Sequence, residues 1–259
     1  MFWVKSSKNK ETKISVIVTC MDRESHLLIS LKSWLDLDIV DDVIVVDWCS
    51  KSKLYNNYEF KKILKNKKLT LLEVVDQKYF SLSKSLNLAT DFCKNEVILK
   101  VDADYICLDE SWLYDLNIKN KLLKESYDYM IHGSWQFNKE LSGLCLFNKS
   151  NFPFYREELK GWGWEDIDMY RRMKDKTEKL IEIIFFNVEK YVSHIPHPNT
   201  IRTNNYQEKN PSKSNRRNID FCYNGKEFVH HDLMRQKYNV VLEKNNYKKI
   251  NYISEFYKV

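Results

Sequence analysis

Glycine and proline are scarce in this 259-residue chain, with five of the first and four of the second. That excludes collagen-like and Pro/Gly-rich low-complexity character. Six cysteines, at positions 20, 49, 93, 107, 145 and 222, form no CxxC pair. Scattered thiols of this kind predict a reduced, cytoplasmic protein with neither a disulfide framework nor a zinc site. Long apolar runs are also missing. Val43-Ile44-Val45-Val46 is strand-sized and far too short to span a bilayer. The opening Met1-Phe2-Trp3-Val4-Lys5 runs into polar Ser6-Ser7-Lys8-Asn9-Lys10, without the apolar core of a secretory signal.

The chain is 43% hydrophobic, enough for a real core and against wholesale disorder. Its length suits one α/β domain with a tail, or at most two small domains. Net charge is +6, and it is uneven: residues 199–259 hold 12 Lys/Arg against 6 Asp/Glu, leaving residues 1–198 neutral. A basic tail suits anionic partners, although in a Lys- and Asn-rich protein it also serves as a solvated flank.

Strand and helix signals alternate along the first hundred residues. Lys13 to Cys20, Asp42 to Asp47, Leu69 to Val75 and Glu96 to Val101 are β-branched or apolar runs bounded by charge, so each predicts a buried strand. Leu27, Leu28, Leu31, Trp34 and Leu35 recur at helical spacing after Asp22 and Ser25 as caps, and Leu82, Leu86, Ala89, Thr90 and Cys93 make a second stripe. This alternation predicts an α/β fold with a mostly parallel central sheet and helices on both faces. The apolar pattern thins at about residue 199, which predicts one α/β domain over 1–198 and a basic C-terminal extension over 199–259. In open parallel sheets, ligands sit outside the carboxyl ends of the strands. Asp22, Asp47, Asp102 and Asp104 fall at such ends.

Three segments carry chemistry. In Val101-Asp102-Ala103-Asp104-Tyr105, two carboxylates stand two residues apart. On an extended backbone both point to one side, where they suit a hard cation such as Mn²⁺ or Mg²⁺ bridging a diphosphate. Gly161-Trp162-Gly163-Trp164-Glu165-Asp166-Ile167-Asp168 predicts a tight turn that displays indoles and delivers acids into a helix running through Met169, Tyr170 and Met173. In His194-Ile195-Pro196-His197-Pro198, a proline-stiffened turn offers one or both imidazoles to a metal already held by the aspartates.

With these segments in order, the chain resembles GT-A-fold glycosyltransferases of family 2. It is most similar to the branch sharing a GWGxED segment with β-galactosyltransferases and chondroitin-type polymerases. The resemblance runs from about residue 13 to 198. Besides the three segments above, it rests on Ile14 to Arg23, Val45 to Ser50 and Tyr79 to Asn87. It implies a nucleotide-sugar half over about 13–105 and an acceptor half over about 106–198. Thr19, Met21, Arg23, Asp47, Lys84, Asn87 and Asp102 would meet the nucleotide-sugar. Asp104 would be the direct metal ligand, with Asp102 nearer the ribose and water shell and His194 or His197 completing the site. Asp166 would be the general base, while Glu165, Trp162 and Trp164 would hold the acceptor sugar.

The resemblance thus implies an inverting, Mn²⁺- or Mg²⁺-dependent transfer from a UDP-sugar of the galactose, glucose or N-acetylhexosamine type to a glycan or glycosylated acceptor. The sequence departs from the family pattern at three places. Asp47-Trp48-Cys49-Ser50 replaces the common Asp-Gly-Ser, Leu86-Asn87 replaces Arg-Asn, and Ile167 stands where GWGxEDDD-type enzymes carry a third acid. Two rival readings are an inactive sugar-nucleotide-binding protein of the same fold and a nucleic-acid-binding protein using the tail residues Arg216, Arg217, Tyr223, Arg235 and Tyr238. The acids clustered along the body of the chain oppose the second rival. As part of the acceptor site, the basic extension is also a candidate lid.

Overall fold

The computed structural model describes residues 12–115, 128–176, 180–224, 227–229 and 232–259; the opening segment 1–10 lies outside them. The predicted alternation is present: β1 (Ile14–Cys20), α1 (Glu24–Leu35), β2 (Val40–Trp48), α2 (Tyr58–Ile63), β3 (Leu69–Val75), α3 (Leu82–Asp91) and β4 (Val97–Asp102). After a two-residue turn come β5 (Tyr105–Cys107), β6 (Asp128–His132), β7 (Cys145–Asn148), α4 (Glu165–Lys176), β8 (Leu180–Ile184) and β9 (Val192–His194). The chain ends with α5 (Asn199–Thr203), α6 (Pro211–Cys222), β10 (Tyr223–Asn224), β11 (Glu227–Phe228), β12 (Met234–Lys244) and β13 (Tyr247–Lys258).

Among the described residues, nine strands form one sheet in the order β12-β13-β3-β2-β1-β4-β7-β6-β8. β1 lies parallel to both β2 and β4, with Ile17 opposite Ile44 on one side and Lys100 on the other. β7 reverses direction against β4 and β6. The apolar runs are continuous because both faces are covered. Val16, Val18, Val43 and Val45 pack with Leu27, Leu31 and Trp34 of α1 on one face. Ile17, Ile44 and Val46 pack with Leu86 and Ala89 of α3 and with Met169 and Met173 of α4 on the other. Each such side chain contributes about 1.5–3 kcal/mol by leaving water. No described helix is long and apolar enough to cross a membrane.

Two expectations change. Asp22 and Ser25 do not cap α1: the cap position is Arg23, with no side-chain cap bond. Asp22 instead adopts φ 56° and accepts a hydrogen bond from Lys51 N at 2.7 Å, tying the end of β1 to the loop after β2. The basic segment after residue 198 is not an appended tail. β13 pairs in parallel with β3, Ile250 opposite Val74, and β12 completes the edge. β12 is an edge strand, wet along much of its length, and leaves Val240, Val241 and Leu242 about half exposed.

Candidate active site

The Asp102–Asp104 segment is fixed from below by α1. Ser30 Oγ donates to Ala103 O at 2.9 Å, and the buried Trp34 indole donates to Tyr105 O at 2.9 Å. Residues 103 and 104 form a turn between β4 and β5, so the extended geometry expected for the two carboxylates fails. Asp104 points one way and is buried. Asp102 stays one-third exposed, 3.6 Å from Lys100 Nζ. β5 pairs antiparallel with β9, which sets His194 opposite Tyr105, and Ile195 N donates to Asp104 O at 2.8 Å. This pairing brings 90 residues of sequence separation down to contact.

Asp104, His194 and His197 offer ligand atoms within 4.8 Å of one another. Asp104 Oδ1 and both ring nitrogens of His194 are buried without a hydrogen bond. A carboxylate oxygen and imidazole nitrogens left unsatisfied in one place fit a divalent cation of the Mn²⁺ type. Asp102 stands outside this group; the resemblance implied Asp104 as the direct ligand, with Asp102 nearer the ribose and water shell. Arg23 shares the group's surroundings: its Nη1 lies 3.0 Å from Asp104 Oδ2 and its Nη2 lies 2.7 Å from His197 Nε2. His197 Nε2 is also 2.8 Å from Asp104 Oδ2. Burial alone would push the Asp104 carboxyl up, but His194, Arg23 and His197 outweigh it and hold its pKa at about 2.

The Gly161–Trp164 loop owes its shape to the basic C-terminal segment. Gly161, Gly163 and Trp164 all take positive φ, at 88°, 102° and 79°. A Cβ on Gly161 would stand 2.3 Å from Ser214 Oγ, so only glycine fits there. The buried Ser214, on α6, accepts from Trp162 N at 2.7 Å and donates to Trp162 O at 2.8 Å. Asn218, one turn on, donates to Gly163 O at 2.8 Å.

At the start of α4, two adjacent acids have unlike surroundings. Asp166 receives Lys100 Nζ at 3.1 Å on both oxygens and Tyr155 OH at 3.2 Å. The fully buried Lys100 would lose charge by burial alone, but Asp166 and Asp102 outweigh that and raise its pKa. Glu165 is only 4% exposed, and burial pushes its carboxyl up to about 8. At neutral pH, therefore, Glu165 carries a proton and Asp166 faces a permanent cation.

These elements enclose one cleft of about 650 Å³. No family model and no curated protein matches the chain in sequence. Among solved structures, S. aureus TarS 1–349 in complex with UDP-GlcNAc superposes with a TM-score of 0.55 at 16% identity, over 72% of this chain and 59% of that one. The mannosyltransferase PcManGT from Pyrobaculum calidifontis, in complex with GDP-Man and Mn²⁺, gives 0.53 at 15% identity, over 70% and 56%. The fold is the GT-A glycosyltransferase fold. The chain spans between 41% and 60% of the length of three TarS structures.

Within this GT-A frame, Thr19, Met21, Arg23, Asp102, Trp162, Trp164, Glu165 and Asp166 all line the cleft. Asp104, His194 and His197 do not line it themselves; Arg23, which does, contacts two of them. Three expected nucleotide contacts are used elsewhere. Asp47 is fully buried and accepts from Ser50 N and Leu54 N at 3.2 and 2.9 Å, closing the loop made irregular by Trp48-Cys49. Lys84 pairs with Gln236 on β12. Asn87 is locked to Tyr155 by bonds of 2.9 and 2.7 Å and to Glu157 at 3.1 Å. Of the tail residues proposed for nucleic acid, Arg235 is buried against Asp91 at 2.7 Å and Tyr238 OH donates to the same carboxylate.

Sequence reasoning missed Lys100, Tyr155, Ser214 and Trp135. Lys100 left a signal: a charge inside the apolar run Val97-Ile98-Leu99-Lys100-Val101 must find a buried partner. Ser214 left none, because its role depends on a helix docking across more than fifty residues.

Proposed function

We propose that the protein is a metal-dependent, inverting glycosyltransferase that moves a hexose or N-acetylhexosamine from a UDP-sugar to a hydroxyl of a glycan or glycosylated acceptor. The observation that carries this reading is Asp166, a carboxylate facing the cleft of a GT-A fold beside two indoles and held by the buried Lys100. Asp166 takes the proton of the acceptor hydroxyl as that oxygen attacks the anomeric carbon from the face opposite the diphosphate. Lys100 and Tyr155 hold the carboxylate by hydrogen bonds and aim it. Glu165, protonated, donates a hydrogen bond to a second acceptor hydroxyl. Trp162 and Trp164 offer apolar faces to the sugar ring. Thr19, Met21 and Arg23 meet the nucleotide, with Asp102 beside them. Asp104, His194 and His197 would hold a divalent cation, which would supply charge neutralisation for a departing diphosphate.

The lid role expected of residues 199–259 narrows to α5 and the turn after it. Ile201, Asn205 and Tyr206 line the cleft, and Asn205 Nδ2 donates to Met21 O at 2.9 Å. Transfer from a panel of UDP-sugars with Mn²⁺, using Asp166→Asn and Asp104→Ala, tests the assignment. Asp166→Asn keeps UDP affinity while turnover falls on the order of 10²–10⁴-fold. Asp104→Ala loses Mn²⁺-dependent UDP binding while remaining folded. Undiminished transfer by Asp166→Asn, or by stripped protein in excess chelator, overturns the reading.

A further inference from the structure

The loop between β6 and β7 carries aromatic rings into water on a braced base. Trp135 is 51% exposed and Phe137 is 49% exposed, and across from Phe137 stands Phe186, 57% exposed, just after β8. Phe137 and Phe186 meet edge-on with centroids 4.5 Å apart, and Trp135 meets Trp162 at 6.2 Å. The loop under them is not loose. Asn138 N donates to Ser134 O at 2.8 Å, and Gly133 N to Leu144 O at 2.9 Å. The buried Tyr105 hydroxyl donates to Glu140 O at 2.8 Å. A Cβ on Gly133 would lie 2.2 Å from Leu141 O, so the loop closes tightly on itself. Phe185 shows the contrast: it packs inward on Trp112 at 5.1 Å, while its neighbour Phe186 turns out.

Exposed rings gathered on a rigid loop mark a binding surface rather than a folding requirement. The surface is continuous with the cleft, because Trp135 and Trp162 both line it. Polar groups are interleaved with the rings: Ser134, Gln136 and Glu140 line the same wall, and Lys139 Nζ stands 4.7 Å over Trp135. Apolar faces alternating with hydrogen-bonding groups suit sugar rings, which present both. A lipid surface would need no such alternation.

We propose that Trp135, Phe137 and Phe186 form a subsite for the second and third sugars of the acceptor, so that the acceptor is an oligosaccharide chain of two or more units. This rests on the transferase reading and names the acceptor class for the same cleft. The test is an array of defined glycans of one to six units, probed with the full chain in the presence of UDP and Mn²⁺. UDP affinity and melting temperature are measured on the same preparations.

Wild-type protein is expected to be retained on chains of two or more units. Trp135→Ala and the double variant Phe137→Ala/Phe186→Ala should each lose about tenfold or more of that retention while binding UDP and melting as wild type does. Retention on single sugars alone, or equal retention by the variants, overturns the subsite and leaves the transferase reading standing. So does an array without signal from protein that binds UDP, or a change in sedimentation of the Phe variants without a change in glycan binding. Failure to bind both UDP and glycan overturns subsite and transferase reading together.

Discussion

Asp168 is the acid of the Gly161–Asp168 segment that holds α4 in place. It is fully buried, and it accepts from Arg156 Nε at 2.7 Å and from Arg172 Nε at 2.8 Å. Arg156 is 1% exposed, so neither charge has water to fall back on. Arg156 also donates to Val229 O at 3.2 Å, and Arg172 to Pro153 O at 2.7 Å, so the triad ties α4 to the segment before the glycine loop and to the C-terminal segment. Asp168→Ala leaves two guanidinium groups side by side without a counter-charge. Breaking a buried pair in this way costs about 3–5 kcal/mol. At about 2–4 °C per kcal/mol for a chain of this size, the midpoint should fall by about 6–20 °C.

Thermal unfolding followed by circular dichroism measures that loss, and a cycle with Arg156→Met apportions it. The double variant Asp168→Ala/Arg156→Met removes one unpaired charge along with the carboxylate, so its loss should be smaller than the sum of the single losses. A midpoint shift under about 3 °C for Asp168→Ala, or strictly additive losses in the cycle, would refute the reasoning. Because Glu165 and Asp166 begin the same helix, turnover should fall with stability even though Asp168 touches no substrate.

Three further outcomes follow from the same geometry. Burial raises the Glu165 pKa to about 8, so the native state holds a proton that the unfolded state has lost above its ordinary 4.5. This contribution is full below pH 4.5 and declines as pH rises through 8, by about 1.4 kcal/mol per unit. Melting scans of wild type and Glu165→Gln between pH 6 and 8 should therefore diverge, with the variant flatter; parallel curves would contradict the assignment. Gly161→Ala forces a Cβ against Ser214 Oγ at 2.3 Å in a left-handed backbone, a strain of about 1–3 kcal/mol. Fluorescence titration should then show weaker acceptor binding with UDP binding intact. Arg23→Ala removes a cation lying 3.0 Å from the Asp104 carboxylate, so electron paramagnetic resonance should record about tenfold tighter Mn²⁺ binding, and weaker binding would exclude a shared site.

What was legible in the sequence was what local pattern controls. Runs buried on both faces announce parallel strands, so β1 through β4 are found within two residues of their expected ends. The glycine–tryptophan segment announces its turn because indoles flanked by glycines leave little else to do. Long-range consequences were hidden. The turn at residues 103 and 104 separates two aspartates that an extended backbone would have aligned. Asp47, Lys84 and Asn87 were expected at the nucleotide from the resemblance alone. In the structure Asp47 closes the Trp48-Cys49 loop, and Gln236 and Tyr155 arrive from distant segments to meet the other two side chains.

The basic C-terminal segment shows most clearly why charge balance misleads about domains. One of its positive residues is buried in the fold, Arg235 against Asp91, while Arg217 reaches Lys160 O from an exposed position and Gln236 receives Lys84 of α3. Ser214 and Asn218 of α6 dictate the positive φ angles that hold Trp162 against Trp135, while Asn205 closes over Met21 on the nucleotide side. The same segment therefore touches donor wall, acceptor loop and sheet edge at once. A cleft whose two walls are braced by one stretch of chain loses a brace from each wall when that stretch is removed. The segment is as much part of the site as the strand that carries Lys100 and the turn that carries Asp104.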